Sequence, residues 1–135
     1  MIELSKEKPY EDACKILGLR PVANYKSYKL TDETRNFIKL ETVAKALNEG
    51  WKPTTIDPKE VRYYVWGWNY TDNRKPSGLL NVFSSAGLGL ALAAVGTSLE
   101  FKDRDTAKEF ARMCKPMIVK YLFGRDDHEN FKFDF

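Results

Sequence analysis

The side chains best able to do chemistry in this 135-residue chain fall into four small groups. His128, the single histidine, stands among Asp126, Asp127 and Glu129. Imidazole and carboxylate are metal ligands, but a closed zinc site needs four donors at set spacing and no cysteine joins these. A solvated acidic tail without a metal is the expectation. Ser77, Ser84 and Ser85 are candidate nucleophiles, yet a serine hydroxyl is activated only when a base takes its proton, and His128 is the one histidine on offer. Asp103 and Asp105 open an apolar-striped segment, where acids cap a helix and offset its dipole. Gly87-Leu88-Gly89-Leu90-Ala91, with Gly96 beyond, has the outline of a phosphate-cradling loop. Such a loop works by feeding a helix N-terminus, whereas the residues that follow alternate as a strand does, and no Gly-Lys-Ser/Thr follows either. The expectation is a chain with no catalytic residues, no metal and no cofactor.

What remains is the aromatic run Tyr63-Tyr64-Val65-Trp66-Gly67-Trp68-Asn69-Tyr70, which spends two of three tryptophans and three of seven tyrosines on one segment. Residues of this kind favour strands. The even positions give Arg62, Tyr64, Trp66, Trp68 and Tyr70, and the odd ones Val61, Tyr63, Val65, Gly67 and Asn69. Neither set is plainly polar, so the strand is expected to be covered on both faces, by helices or by a helix and a partner. Tyr64, Trp66, Trp68 and Tyr70 form the candidate interaction face, since large aromatic patches mark contact sites. The alternative is nucleic-acid binding, with bases stacking on Tyr64, Trp66 and Trp68 and phosphates met by Arg62, Arg74, Lys75, Lys102 and Arg104. A net charge of +3 and a pI of about 8.8, with acids and bases evenly mixed, permit nucleic acid without indicating it. A small-ligand or nucleotide-binding role would need a polar pocket that no motif announces.

Length allows one hydrophobic core, and 43% hydrophobic with 30% charged residues is an ordinary folding composition. Cys14 and Cys114 lie in two helical segments and read as free core thiols; a disulfide would require those helices to touch. The N-terminus lacks a signal-peptide pattern, and the longest apolar run, 88–95, is too short to cross a bilayer. A cytoplasmic or virion protein, with no membrane segment, is expected. Pro9 and the acids after it start a short helix that Gly18 stops. A longer helix spans 31–48, capped by Thr31 or Asp32, with Phe37, Leu40, Val43, Ala44 and Leu47 on one side. Gly50 ends it, and Trp51 is expected to fold back into the core. Strands are expected over 61–70 and 79–85 around a polar hairpin loop, and a third over 97–101, where Thr97, Leu99 and Phe101 alternate with Ser98, Glu100 and Lys102. Residues 86–96 read as either a smooth strand or a loop. A final helix starts at Asp103 or Asp105, and Pro116 predicts a kink near 112–115. Phe131, Phe133 and Phe135 alternate with polar residues, as in a last strand or a peptide docking on a partner.

The segments Glu11-Asp12-Ala13-Cys14-Lys15-Ile16-Leu17-Gly18-Leu19, Val43-Ala44-Lys45-Ala46-Leu47-Asn48-Glu49-Gly50-Trp51-Lys52-Pro53 and Leu99-Glu100-Phe101-Lys102-Asp103-Arg104-Asp105-Thr106-Ala107 carry a resemblance. Together they resemble a group of small proteins encoded by tailed phages and prophages of gut Bacteroidales, crAss-like phages and their relatives. The resemblance reaches to about Leu122 and implies a phage origin; it brings no activity with it. The apolar stretch 87–95 departs from that group, where the segment before the third strand is serine-rich. The resulting expectation is a single α+β domain: two N-terminal helices within 1–50, a three-stranded antiparallel sheet within 61–101, a C-terminal helix over 103–123 kinked at Pro116, and a tail over 125–135. Its expected role is that of a non-enzymatic interaction module, host-targeting or a virion accessory subunit, that binds a protein partner or itself.

Overall fold

A computed structural model describes residues 2–21, 30–52, 59–68, 78–86 and 97–135. Tyr70, Arg74, Lys75, Ser77 and the 87–95 segment lie outside the described residues. The order of elements is α1 (Pro9–Leu17), α2 (Asp32–Asn48), β1 (Val61–Trp68), β2 (Leu79–Ala86), α3 (Arg104–Phe123) and β3 (Lys132–Phe133), an α+β arrangement. Each helix begins and ends where local chemistry dictates. Pro9 occupies the first turn of α1, and Gly18 ends it in the left-handed conformation. Thr31 caps α2 by accepting from the Thr34 amide, and Asp103 caps α3 by accepting from the Thr106 amide at 2.8 Å. That bond stabilises the Asp103 carboxylate and lowers its pKa.

The helices form one layer of the core. α1 packs on α2 and α2 on α3, and α3 lies against β1 and β2. Leu40, Val43, Ala44 and Leu47 of α2 meet Ala107, Phe110, Ala111, Cys114 and Ile118 of α3, with Val65 and Val82 contributed by the sheet. Alanines at 44, 107 and 111, all without exposed surface, let the helices approach closely. The proline kink is present: Cys114 leaves helical geometry at φ −115°, ψ 20°, within the expected stretch. Just past it, Asn36 of α2 donates to the Met117 carbonyl at 2.9 Å and clasps the two helices. Cys14 and Cys114 are buried free thiols, and burial pushes the Cys114 thiol up to about 12.

The sheet differs from the expected antiparallel triple. β1 and β2 pair antiparallel from Val61↔Ala86 to Trp68↔Leu79, but the third strand is β3, after the last helix, and it runs parallel to β2. A parallel neighbour requires a crossover, which α3 supplies. Residues 97–101 contribute a 3₁₀ turn, Thr97–Leu99, and one bridge between Phe101 and Tyr63. The alternation of Leu99, Glu100 and Phe101 was legible, yet helix α3 starts at Arg104 and leaves room for only one paired residue. Along the outer edge of β2, the Val82 amide donates to the Asn81 side chain and its carbonyl accepts from Arg104 at 2.9 Å, so this stretch of edge is blunted by side chains.

The tail belongs to the fold. Phe131 has no exposed surface and packs with Leu80 and Val119, stacked on Phe123 at 5.5 Å between ring centroids. Arg125 lies over the Phe131 ring at 4.9 Å, while Lys108 and Arg112 approach the ring of the more exposed Phe135. Two substitutions test this account. A Cβ at Gly67 would lie 2.3 Å from the Leu79 carbonyl oxygen on the facing strand, so Gly67→Ala is expected to cost about 3 kcal/mol in chemical denaturation. Phe131→Ala is expected to cost about 3–5 kcal/mol, and Phe135→Ala less than about 1. Equal costs at the two phenylalanines would contradict the tail's role in the core.

Candidate functional site

The aromatic strand is structural at its centre. Tyr64 is 5% exposed and Arg62 is fully buried. Trp66 is half-buried and meets the Phe123 ring edge-on at 6.0 Å. The backbone of Trp68 pairs with Leu79, and its side chain lies outside the described residues. Both faces of the strand are thus covered at 62–65. The proposed open aromatic face does not exist at Tyr64, because that ring lies across from Phe83 within the sheet, centroids 6.3 Å apart.

The basic residues assigned to nucleic acid divide in the same way. Arg62 has no surface to offer a phosphate. Its Nη1 lies 3.9 Å from Oε1 of Glu100, itself fully buried, and its Nε lies 3.6 Å from Glu60. Arg104 spends its guanidinium on the Val82 carbonyl and on the Tyr63 ring, 5.2 Å from the centroid. Lys102 is exposed at the start of α3. Of the described members of the set, only Lys102 and Arg104 have exposed surface, and both lie at the start of α3. Burial pushes the Glu100 carboxyl up, against the pull of Arg62 and with a further push from Glu60; burial and Glu100 together raise Tyr64.

The acidic tail group is organised as well. Arg125 pairs with Asp127, which also accepts from Asn130 at 3.0 Å, and these bonds hold the Asp127 carboxyl well below the usual range. His128 Nδ1 lies 3.7 Å from Glu129. Among the described residues no group of three or more His, Cys, Asp or Glu side chains is placed to hold a metal ion, and no helix is long and apolar enough to cross a membrane.

The surface feature that residue types alone did not reveal is a groove of about 560 Å³ between the ends of α1 and α2. Two helix terminations build it. Gly18 in the left-handed region turns the chain after α1 and leaves Ile16 and Leu19 at 45% and 46% exposure. At the end of α2, Glu49 (φ 49°) and Gly50 (φ 89°) both take the left-handed conformation, and the Trp51 amide donates to the Asn48 carbonyl at 2.9 Å. This folds Trp51 back as expected but leaves it half-buried, so the ring forms groove wall, not core. Ile2, Leu17 and Ala46 complete the apolar lining, and Glu41, Lys45, Glu49 and Lys52 rim it. The strongest local signal was Ile16, an apolar residue off the buried face of α1 (Tyr10, Ala13, Cys14, Leu17) and beside a glycine stop. Glu49 is a non-glycine residue in a conformation that glycine adopts at less cost.

Compared with known proteins, the chain matches no family model, no curated sequence and no solved structure.

The buried ion pair yields two expectations. Arg62→Ala should destabilise by about 3–5 kcal/mol, because it strands the buried Glu100 carboxylate, whereas Arg62→Met combined with Glu100→Leu should recover most of that loss. Glu100 also sets a pH signature. Its folded-state pKa is raised, so the folded chain binds a proton more readily than the unfolded chain, and this site's contribution to stability grows as pH falls through the folded pKa towards the ordinary carboxylate range. The stability of the native chain relative to Glu100→Gln should therefore increase on acidification. Denaturation midpoints across that range would refute the argument if the difference shrank or stayed flat.

Proposed function

We propose that this chain is a non-enzymatic protein-interaction module that binds through the α1–α2 groove. The observation that carries the reading is the combination of an apolar lining, a half-buried tryptophan and a charged rim in one concavity. Interfaces combine aromatic and aliphatic anchors with polar groups, and the groove's lining supplies both. The ionisable groups that burial perturbs point the same way. Glu100 and Cys114 have no exposed surface and Tyr64 almost none, so each is shielded from a substrate and contributes to packing. If the resemblance to phage proteins reflects origin, such a module serves either to engage a host protein or to sit as an accessory subunit on a virion.

The test is site-specific crosslinking in the producing cell. A photoreactive residue at Ile16 should give a covalent protein adduct, of a second copy or of another protein, while the same residue at Glu33, exposed near the opposite end of α2, should give none. Trp51→Ala should reduce the Ile16 adduct by about tenfold without a change in secondary structure, since a hot-spot aromatic contributes on this scale. No adduct at Ile16, or equal adducts at both positions, would remove the groove as the binding site.

A further inference from the structure

The rim of the groove says what fits it. Glu41 and Lys45 stand at i and i+4 on the exposed side of α2, Glu49 is the exposed left-handed residue that ends the helix, and Lys52 follows, so the charges read minus, plus, minus, plus along the chain. Among the described residues no ion pair engages any of the four. A series of this kind has a particular symmetry. Read backwards it becomes plus, minus, plus, minus, which is its own complement. Laid antiparallel against a second α2, Lys45 faces Glu49 and Glu41 faces Lys52, and each pairing occurs twice. A parallel arrangement in register would set every charge against its like.

We infer that the groove is a homodimer interface in which two copies of this chain pack α2 against α2 about a two-fold axis midway between Lys45 and Glu49 on the exposed surface, with Lys45 of each copy opposite Glu49 of the other. The inference rests on the reading of the groove as a protein-binding site and deepens it by naming the occupant. The geometry is compatible with an isologous contact, since the same patch serves both sides. Glu41 and Lys45 lie about 6 Å apart along α2, and Glu49 follows about one turn beyond Lys45 at the helix end. The apolar part of the interface comes from Ile16, Leu17 and Trp51, which flank that line and are partly open to solvent in the single chain. Glu49 then has a reason to occupy a left-handed position where glycine is the ordinary choice: its carboxylate is half of the central pair.

The test is sedimentation equilibrium of the full chain and three charge variants at low salt. The native chain should show a species of twice its 15.6 kDa mass. Lys45→Glu and Glu49→Lys should each weaken dimerisation at least about tenfold, because each places two like-charge contacts at the axis, and the two together should restore it to within about threefold of native. Lys45 and Glu49 are exposed, so the variants should keep the native circular dichroism spectrum. Should a variant fail to fold, Lys45→Cys with Glu49→Cys gives a second readout: oxidation should yield a disulfide-linked dimer, the native Cys14 and Cys114 being buried. A native chain that stays monomeric, a dimer indifferent to both reversals, or single reversals that the double variant does not rescue would overturn the inference. A monomer that still forms Ile16 adducts with a different protein would overturn self-pairing alone, whereas a monomer with no adduct would remove the underlying reading as well.

Discussion

The structure depends on how residues Glu100 and Phe101 are held. Three elements meet there. The Phe101 backbone exchanges two hydrogen bonds with Tyr63 of β1, and its ring packs on Phe110 of α3, centroids 4.8 Å apart. The Glu100 carbonyl accepts from Asn48 at the end of α2, and the Glu100 carboxylate faces the buried Arg62 guanidinium. Sheet, central helix and final helix are thus tied at two consecutive residues. Strand alternation makes this workable: Leu99 and Phe101 enter the helical core while Glu100 points to the other side of the sheet, where it meets Arg62. A buried charge pair is an expensive way to connect elements, but it penalises any register in which the partners separate. A one-residue slip of the bridge would leave two charges buried apart.

That junction also accounts for the groove. Asn48 is the last residue of α2, and its bond to the Glu100 carbonyl anchors the helix end to the sheet. With the end anchored, the left-handed residues Glu49 and Gly50 have only one direction in which to send the chain, and Trp51 is delivered to the edge of the core. The α1 terminus is set beside it by the packing of α1 on α2. The groove is therefore assembled from helix ends, whose conformations are set by their caps. Arg62, Tyr64 and Val65 of the aromatic strand are buried in the fold.

Legibility in the sequence followed the range of the interactions involved. The caps at Thr31, Asp103 and Gly18 and the kink at Cys114 came out as read, because each depends on residues within one turn of one another. The third strand was misplaced for the opposite reason. Thr97 to Phe101 has the alternation of a strand, but pairing length is set by when the next helix begins; Lys132 and Phe133 become the third strand because Phe131, beside them, fills a hole between Leu80 and Val119 that lies more than ten residues away in sequence. Arg62 was misread as a surface contact because a charged residue in an aromatic strand looks solvent-facing until its partner, 38 positions on, is placed beside it.

The amino-acid sequence alone determined the helices, their ends and the two long strands, since backbone propensity, capping and periodicity act over a few residues. It also contained, unread, the alternating charges at 41, 45, 49 and 52. Tertiary structure decided the parallel strand, the burial of Arg62 with Glu100, and the groove between the ends of α1 and α2. Each of these is a matter of which distant side chains exclude water from one another, and that is settled only when the whole chain packs.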